Sequence, residues 1–445
     1  MTTSLLTDHY ELTMVRAAME SGAHERRSVF ELFSRRLPTG RRYGIVAGTG
    51  RLLDALEQFR FDERDLDFLV RTEVADDRLA GWLADYRFSG SIWGYPEGEA
   101  FFPGSPLLIV EGTFAEAVVL ETLALSIYNY DCAVSSAASR MTLMAAGRPC
   151  IEMGSRRMNE QAAVAAARAA YIAGFQATSN LEAGARYGIP TTGTAAHSFT
   201  LLHDTEEQAF AAQLATLGEN TTLLVDTYDV EQAVRAGVEL TNGRLGAIRL
   251  DSGDLAELAV TVRALLDDLG APQTRIIVTS DLDEYQIAAL RGAPVDGYGV
   301  GTSLVTGSGA PTCAFVYKLV ARAASGADDT LVPVAKHSVG KASVGGRKFA
   351  LRRLDARGRA TAEVIGVGAP PAGDENDRPL LRQLVDNGEI VGREPLADAR
   401  ARHLRALAEL PMEARKMSRG EAAIETILLD ADGQPAVNPY ARSEA

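Results

Sequence analysis

Short apolar runs alternate with helical patterns between Cys150 and Thr306. The runs Thr222–Val225, Gly246–Leu250, Arg275–Val278 and Val295–Val300 are strand-like. Helical periodicity is found between them at Gln161–Gly174, Val230–Leu240 and Leu255–Leu269. Strands that alternate with helices form a parallel sheet, so this region is predicted to be an α/β domain.

Small polar clusters follow these runs about 20 to 30 residues apart, roughly the length of one βα unit. They are Glu152–Arg157, Thr178–Asn180, Gly193–Ser198, Asp226–Asp229, Arg249–Asp254, Thr279–Glu284 and Gly299–Ser303. Polar residues at the carboxyl end of every strand are typical of a β/α barrel with its site on that face. Seven strand ends predict an irregular, incomplete barrel; a doubly wound open sheet is the alternative architecture.

The flanking regions show no repeat. Residues 1–125 mix strands and helices and are predicted to form an N-terminal α/β domain, followed by the barrel domain at 126–318. Residues 319–445 are predicted to be a C-terminal segment that associates with the N-terminal domain. The pattern predicts helices at Leu12–Met19, Gly50–Phe59, Phe114–Arg148, Arg400–Glu409 and Met412–Leu428, and strands at Ser28–Phe33, Phe88–Tyr95, Leu107–Glu111 and within Val332–Leu354.

Composition and charge exclude several classes of protein. The net charge of −14 argues against a nucleic-acid partner, whose phosphates require a basic face. No apolar run approaches membrane-spanning length, and no signal peptide is visible. Three cysteines give neither a disulfide framework nor a zinc site, so a reduced cytoplasmic protein is expected. Residues 1–317 contain no lysine, which excludes a Schiff-base lysine and a P-loop there.

Two clusters are candidates for binding an anion. Arg156 and Arg157 are predicted to lie between a strand and an Ala-rich helix, where guanidinium groups and helix amides can hold a carboxylate or phosphate. A pair of rim arginines without a ligand explains the same pattern. Gly297–Ser303 is rich in glycines that let backbone N–H groups approach a phosphate closely, although such turns are common.

Two further clusters are candidates for chemistry. Alternation along a strand puts Arg249 and Asp251 on one face, where they could orient a ribose or support a magnesium-bound pyrophosphate, while Asp254 suits a helix N-cap. His197 lies at a predicted strand end, and Asp226 or Asp229 at the next one could fix its tautomer. The alternative is a structural histidine. Neither H-x-H nor H-E-x-x-H occurs, so a zinc hydrolase is disfavoured.

The order and spacing of these motifs resemble the nicotinate phosphoribosyltransferase family. The resemblance runs from Leu6–Met14 to Gly340–Lys348. Between them it includes Phe30–Pro38, Glu152–Arg157, Ala177–Asn180, Gly193–Ser198, Arg249–Asp254, Gly299–Thr306 and Tyr317–Leu319.

The resemblance implies an irregular α/β barrel beside an N-terminal α/β domain, in a homodimer with shared active sites. It implies transfer of phosphoribosyl from phosphoribosyl pyrophosphate to nicotinate, with Mg²⁺ held through the substrate pyrophosphate and ATP as co-substrate. ATP hydrolysis would be coupled through a phosphohistidine at His197.

The resemblance also implies roles for individual residues. His197, Asp226 and Asp251 would be catalytic. The implied nicotinate-binding residues are Asp8, Tyr10, Met153, Arg156, Ser179 and Arg249, with Asp8 and Tyr10 reaching the neighbouring subunit's site. The implied phosphate-binding residues are Arg35 (or Arg36), Gly299, Gly301, Thr302 and Ser303.

Two positions bear on the choice of pyridine. Met153 replaces the aromatic residue that usually stacks on the ring in this family, and a thioether can still pack on a ring edge. Ser179 stands where nicotinamide-using relatives have an aspartate, whose charge would repel a carboxylate. Nicotinate is therefore the expected substrate. Nicotinamide or quinolinate phosphoribosyl transfer, and a non-catalytic nucleotide-binding homologue, are the alternatives.

Overall fold

The computed structural model describes residues 2–325, 328–336 and 343–440. The chain forms two compact units, Met1–Ser136 with Ala310–Ala445, and Ala137–Gly309. The sequence analysis placed the corresponding boundaries at 125/126 and 318/319. Of the motif Gly340–Lys348, Gly340, Lys341 and Ala342 lie outside the described residues.

The helices and strands of the described residues follow in chain order. Residues 2–145 contain α1 (His9–Ser21), β1 (Arg27–Ser34), β2 (Gly44–Ile45), α2 (Thr49–Glu57), α3 (Glu63–Arg71), α4 (Asp77–Ala84), β3 (Ser91–Gly94), β4 (Ala100–Phe101), β5 (Pro106–Thr113), α5 (Phe114–Val118) and α6 (Glu121–Ala145). Residues 146–309 contain β6 (Cys150–Glu152), α7 (Glu160–Ile172), β7 (Ala177–Thr178), α8 (Leu181–Tyr187), α9 (His197–Leu201), α10 (Glu206–Leu217), β8 (Thr222–Leu224), α11 (Val230–Leu240), β9 (Ala247–Leu250), α12 (Leu255–Asp268), β10 (Arg275–Ser280), α13 (Glu284–Ala289), β11 (Gly297–Val300) and α14 (Thr302–Val305). The remaining elements are β12 (Phe315–Ser325), β13 (Asp328–Pro333), β14 (Lys348–Leu354), β15 (Ala360–Val367), β16 (Arg378–Pro379), β17 (Arg382–Asp386), β18 (Glu389–Ile390), α15 (Leu396–Glu409) and β19 (Glu425–Leu429).

The unit at 137–309 is built on a six-stranded parallel sheet in the order β7-β6-β11-β10-β9-β8. The last strand, β11, pairs with the first, β6, which is how a β/α barrel closes. In the described residues β7 and β8 are the two edges, so the barrel is open at that junction. The irregular, incomplete barrel is confirmed, and the doubly wound alternative is wrong because its strand order would reverse near the middle.

The other unit joins strands from both ends of the chain. Its seven-stranded sheet has the order β13-β12-β1-β5-β3-β17-β18, with β1 antiparallel to both β12 and β5. Seven of the eight residues of β1 are buried, as expected for a central strand covered on both faces. Lys348 of β14 forms an ion pair of 2.7 Å with Glu31 of β1, and both side chains are 3% exposed. This pair links two of the motifs that carried the family resemblance.

Two predicted helices differ from the structure. The segment Met412–Leu428 was predicted to be helical, but it contains only a 3₁₀ turn at Met412–Arg415 and then β19, which pairs in parallel with β15. The predicted helix Phe114–Arg148 is divided into α5 and α6.

Among the described residues, one stretch, Phe114–Ala145, is long and apolar enough to cross a membrane. Of its most apolar 18-residue window, 67% is buried within the fold. Such burial is typical of a core helix.

Candidate active site

Polar side chains collect at the carboxyl edge of the parallel sheet. Six of the seven predicted polar clusters follow a strand of this sheet directly. The seventh, Gly193–Ser198, does not: the chain before it makes only an isolated bridge between Thr178 and Thr191. The prediction that His197 ends a strand is therefore wrong. It begins the short helix α9, in the connection between the two edge strands.

His197 faces two carboxylates. Its Nδ1 atom lies 3.1 Å from Thr227 Oγ1, and its Nε2 atom lies 3.9 Å from Asp226 Oδ1 and 4.0 Å from Asp251 Oδ2. The side chain is 42% exposed. Thr227, which the sequence analysis did not single out, thus engages one ring nitrogen and leaves Nε2 as the atom that faces the acidic groups.

Asp226 holds the neighbouring turn in place. Its side chain is 3% exposed, and its Oδ2 atom accepts hydrogen bonds from the Asp251 N–H (3.0 Å) and the Ser252 hydroxyl (2.7 Å). Its Oδ1 atom is buried without a hydrogen-bond partner. Asp229 and Asp254 instead cap helices α11 and α12 through their side chains, which confirms the cap predicted for Asp254.

Asp251 is oriented by a second missed residue. The Thr279 hydroxyl, at the end of β10, donates a hydrogen bond to Asp251 Oδ1. The next residue, Ser280, has φ of 148°, a conformation that non-glycine residues rarely adopt. The sequence signal for Thr279 was that it is a polar, β-branched residue at the end of a predicted strand. The other oxygen, Asp251 Oδ2, faces His197 Nε2 at 4.0 Å.

Two arginines form the positive part of the site. Burial lowers the pKa of Arg249, Asp251 and Asp226 act in the opposite direction, and the nearby positive charge of Arg156 lowers it further. Arg249 donates a hydrogen bond to the Ala195 carbonyl (3.1 Å), while its Nε atom is buried without a partner. Two guanidinium groups close enough to repel each other are suited to bind one anion between them.

The arginine pair at 156–157 does not open a helix, which corrects the sequence interpretation. Arg156 and Arg157 lie in a 3₁₀ turn, Ser155–Arg157, and α7 begins at Glu160 with Asn159 as its N-cap. Asn159 takes the cap position because its side-chain oxygen accepts hydrogen bonds from the N–H groups of Gln161 and Ala162. Any anion held by Arg156 is bound by its side chain rather than by helix amides.

Glu152 is a buried residue that supports the same rim. It accepts hydrogen bonds from the Gly154 N–H and the Thr178 hydroxyl, and burial raises its pKa. The Ser179 N–H donates to the Glu152 carbonyl (2.8 Å), so the ends of β6 and β7 are tied together. The Ser179 side chain is exposed at this rim.

The glycine-rich loop lies against Met153. A Cβ atom at Gly299 would stand 2.8 Å from the Met153 sulfur and 2.5 Å from Thr279 Cγ2, so only glycine fits. Gly301 leads into the single turn of α14, which starts with Thr302 and Ser303. The first N–H groups of a helix have no partner within it, so those of Thr302 and Ser303 face outward from the turn.

Asp8 and Tyr10 lie in the other unit, at the start of α1. The Asp8 side chain caps the helix by accepting a hydrogen bond from the Tyr10 N–H (3.4 Å). The Tyr10 side chain hydrogen-bonds Glu121, whose carboxylate lies 3.8 Å from Lys318 Nζ. Burial, followed by the charge of Glu121, raises the pKa of Tyr10. The phenol is thus neutral, on a residue that is 44% exposed.

Arg35 lies in a basic cavity of the same unit. The cavity has a volume of about 340 Å³, and its lining includes four arginines, one glutamate and a tyrosine: Arg35, Arg36, Arg41, Arg419, Glu421 and Tyr440. Arg42 links the two segments that form it, because its guanidinium donates to the carbonyls of Ser418 (3.3 Å) and Arg419 (3.2 Å). Such a concentration of arginine in a chain of net charge −14 is suited to a phosphorylated ligand.

Glu206, the first residue of α10, was missed altogether. Burial raises its pKa to about 7, and the negative charges of Glu207, Asp229 and Asp226 raise it as well. Its Oε1 atom is buried without a hydrogen-bond partner. The sequence offered only a Thr-Glu-Glu helix start, which did not distinguish this residue from an ordinary first-turn glutamate.

Comparisons with known proteins agree with one another and cover most of the chain. The profile of the nicotinate phosphoribosyltransferase (NAPRTase) N-terminal domain matches residues 5–129, and that of the NAPRTase family matches residues 149–355. The chain is 56% identical over 431 residues to nicotinate phosphoribosyltransferase pncB1 of Mycobacterium tuberculosis, covering 95% of this chain and 94% of that protein. It is 42% identical to pncB2 of the same organism over 87% of this chain and 83% of the relative.

Solved structures share the fold. The crystal structure of human nicotinic acid phosphoribosyltransferase superposes with a TM-score of 0.81 at 26% identity, over 95% of this chain and 97% of the human chain. A nicotinate-nucleotide pyrophosphorylase from Pyrococcus furiosus superposes with a TM-score of 0.73 at 23% identity, over 91% and 94% of the two chains. The second likeness concerns the fold alone.

Proposed function

The chain belongs to the nicotinate phosphoribosyltransferase family, and from this premise we propose that it transfers phosphoribosyl from phosphoribosyl pyrophosphate to nicotinate. The products would be nicotinate mononucleotide and pyrophosphate, which makes the reaction a salvage step of NAD biosynthesis. The observation that carries the proposal is the convergence of His197, Asp226, Arg249 and Asp251 at one edge of the open barrel.

The positive part of the site suits the nicotinate carboxylate. Arg156 and Arg249 bring two guanidinium groups together, and Arg249 Nε has no partner within the protein. A charge-assisted contact to a carboxylate contributes about 1.5–3 kcal/mol. The Ser179 hydroxyl can donate to the same carboxylate, whereas an aspartate there would repel it. Met153 would pack on the pyridine ring edge.

The reaction needs no protein nucleophile on the sugar. The pyridine nitrogen forms a bond to the anomeric carbon, and the bond from that carbon to pyrophosphate breaks with its electron pair leaving on pyrophosphate. An oxocarbenium-like transition state is expected by analogy with other glycosyl transfers. Asp251, fixed by Thr279 and by its own N–H bond to Asp226, supplies negative charge beside the ribose.

Mg²⁺ is proposed to enter with the substrate. The described residues contain no group of three His, Cys, Asp or Glu side chains arranged to hold a metal ion. Mg²⁺ commonly takes one or two carboxylates and completes its coordination with substrate phosphates and water. Asp251 Oδ2, on a half-exposed side chain, fits as the single carboxylate. Gly299, Gly301, Thr302 and Ser303 are proposed to bind the 5′-phosphate.

ATP is proposed to act through His197. Thr227 engages Nδ1, so Nε2 is the nitrogen available to attack the γ-phosphorus. The N–P bond forms as the bond from the γ-phosphorus to the bridging oxygen breaks, and ADP leaves with the electron pair. The phosphoryl group then changes the affinity for phosphoribosyl pyrophosphate, which is how free energy from ATP enters.

We further propose a homodimer in which Asp8, Tyr10 and Arg35 serve the partner's site, as the family resemblance implies. Mixing two variants that are each expected to lose ATP-enhanced pyrophosphate release tests this. Tyr10→Ala and His197→Ala have defects on different units, so a mixed dimer contains one intact site. Recovery of activity on mixing supports the shared site, and no recovery from mixed dimers of verified composition contradicts it.

The decisive experiment for the function is pyrophosphate release from phosphoribosyl pyrophosphate and Mg²⁺ with nicotinate, nicotinamide or quinolinate, each with and without ATP. We expect release with nicotinate that ATP enhances. Preference for nicotinamide would refute the argument from Ser179, and full ATP enhancement in His197→Ala would refute the phosphohistidine. Folded protein that is silent with all three pyridines would indicate a non-catalytic homologue.

A further inference from the structure

A buried ion pair in the unit at 137–309 has no part in the reaction described above. Arg140 of α6 donates a hydrogen bond from Nε to Glu284 Oε1 at 3.0 Å, and both side chains are 3% exposed. The Arg140 guanidinium also lies 5.8 Å from the centre of the Tyr285 ring. Removing two charges from water is costly, and the attraction between them often does no more than offset that cost. Stability alone therefore does not explain this pair.

Glu284 is the first residue of α13, but it is not the residue that caps the helix. Asp283 takes the cap position, because its side chain accepts hydrogen bonds from the N–H groups of Tyr285 and Gln286, both at 2.8 Å. The Glu284 side chain is thus not needed to begin the helix, and it is buried instead.

The second oxygen of Glu284 contacts the segment that follows α14. The Ser308 hydroxyl donates a hydrogen bond to Glu284 Oε2 at 2.5 Å. Ser308 has φ of 52° and lies between Gly307 and Gly309, whose φ angles of 62° and 81° are also positive. A residue other than glycine persists in this region of backbone conformation only when its surroundings hold it there. The bond to Glu284 is one such restraint.

Ser308 in turn holds the end of the glycine-rich loop. Its N–H donates a hydrogen bond to the Ser303 carbonyl at 2.6 Å, and the Gly307 N–H donates to the Leu304 carbonyl at 3.0 Å. The helix α14 has only four residues, Thr302–Val305, and a single turn is not stable without support from its surroundings. Contacts made by residues 307 and 308 provide that support.

We propose that Glu284 is a positioning residue, which holds the phosphate loop (Gly299–Ser303) in its binding geometry through Ser308. Arg140 fixes Glu284 in turn. The inference rests on the proposed function, in which this loop binds the 5′-phosphate of phosphoribosyl pyrophosphate. A loop that is ordered before the substrate arrives loses less conformational entropy on binding. Releasing the loop is therefore expected to weaken substrate binding more than the chemical step.

The segment that ends at Glu284 also contacts the other half of the site. It begins at Thr279, whose hydroxyl donates a hydrogen bond to Asp251. The buried Leu282 lies between these two ends, and its N–H donates to the Ser280 carbonyl at 2.8 Å. The six residues 279–284 thus reach both the carboxylate proposed to act on the ribose and the loop proposed to bind its phosphate.

The principal test is Ser308→Ala, which removes the hydroxyl bond and leaves the pair of Arg140 and Glu284 intact. Pyrophosphate release is measured with nicotinate, ATP and Mg²⁺ over a range of phosphoribosyl pyrophosphate concentrations. We expect KM for phosphoribosyl pyrophosphate to rise about 5- to 10-fold, with kcat and KM for nicotinate changed by less than about twofold.

Glu284→Gln tests the same connection from its other side. Its amide has one acceptor oxygen, whereas Arg140 and Ser308 both donate to the wild-type carboxylate. This variant should also raise KM for phosphoribosyl pyrophosphate, and its unfolding midpoint should fall because Arg140 loses its charged partner. The double variant Ser308→Ala/Glu284→Gln should raise KM no further than the larger single effect, since both changes interrupt one connection.

Thr274→Val is the matched control. The Thr274 hydroxyl is buried and donates a hydrogen bond to the Leu245 carbonyl at 2.8 Å. It lies just before β10, at the amino edge of the same sheet and therefore away from the phosphate loop. Like Ser308→Ala, this variant removes one hydroxyl group, so it should lower the unfolding midpoint. It should leave KM for phosphoribosyl pyrophosphate unchanged.

Two results would overturn the inference. One is an unchanged KM for phosphoribosyl pyrophosphate in Ser308→Ala, and the other is an equal rise in Thr274→Val, which would make the effect a general loss of stability. If Ser308→Ala does not fold, Glu284→Gln decides by the same criterion. Failure of the proposed function is distinguishable, because the wild type itself would then release no pyrophosphate with any of the three pyridines.

Discussion

Replacing Asp226 by asparagine tests the geometry around His197. The two oxygens of the wild-type carboxylate have different partners. Oδ2 accepts two hydrogen bonds from the 251–252 turn, and Oδ1 lies 3.9 Å from His197 Nε2. Asparagine keeps the size and one oxygen acceptor. If that oxygen serves the turn, the amide NH₂ faces Nε2 and competes for the electron pair that would attack phosphorus in the proposed phosphorylation. The Asp226→Asn variant is therefore expected to impair phosphorylation of His197 more than binding of nicotinate.

The magnitude follows from the distances. When neutral imidazole attacks phosphorus the ring becomes positive, and a carboxylate about 4 Å away attracts it by about 4 kcal/mol at an effective dielectric constant of 20. Asp251 provides a similar attraction from 4.0 Å, and the ring is 42% exposed, so screening reduces the loss. A remaining loss of about 1.5–3 kcal/mol corresponds to a phosphorylation rate about 10- to 160-fold lower.

The assay is the rate of phosphoenzyme formation from γ-labelled ATP, with Ser252→Ala as the control. That variant removes one bond to Oδ2 and leaves the Asp226 charge in place. It should lower the free energy of unfolding by about 1 kcal/mol and change phosphorylation by less than about threefold. Wild-type phosphorylation in Asp226→Asn would refute the role given to the carboxylate, and equal losses in both variants would show that turn geometry alone matters.

Three further substitutions give separate tests. Ser179→Asp should lower pyrophosphate release with nicotinate at least about tenfold and raise the relative use of nicotinamide, because a second carboxylate repels the acid; an unchanged ratio would contradict this. Gly299→Ala should raise KM for phosphoribosyl pyrophosphate more than it lowers kcat, since the new Cβ displaces Met153 and Thr279. Gly292→Ala serves as the comparison outside the loop, because a Cβ there meets nothing within 4 Å. Folding raises the pKa of Glu206 from 4.5 to about 7, so the wild type should lose stability relative to Glu206→Gln as the pH rises through this range. The same difference in free energy of unfolding between the two proteins at pH 5 and pH 8 would contradict this.

The strands of the barrel could be predicted well from the sequence, because their burial requires a run of apolar residues that is visible locally. The run Thr222–Val225 became β8 (Thr222–Leu224), and Gly246–Leu250 became β9 (Ala247–Leu250). Parallel strands covered on both faces are continuous apolar runs, and the polar cluster after each run marks the carboxyl edge of the sheet. The same logic located Asp226, Arg249 and Asp251.

Several failures share a cause, which is that partners distant in sequence decide the local structure. Glu425–Leu429 has a helical pattern, yet it forms a parallel strand with β15, which is more than 50 residues away in the chain. Thr279 belonged to a predicted polar cluster but was not singled out, and Glu206 was missed, because the residues that act on them, Asp251 and Asp226, lie on other elements. Sequence spacing alone could not have found them.

The open junction of the barrel explains how the candidate site combines rigid and accessible groups. Between β7 and β8 the chain forms α8, α9 and α10 rather than a paired strand, and α9 begins with His197. Asp226 and Asp251 follow paired strands and are tied to each other, so their positions are fixed by the sheet. His197 is not on the sheet and keeps 42% of its side chain exposed. A closed barrel would place that residue on a strand and restrict the approach to Nε2. The opening therefore leaves the histidine accessible to a bulky nucleotide, while the carboxylates that would act on it are held by the sheet.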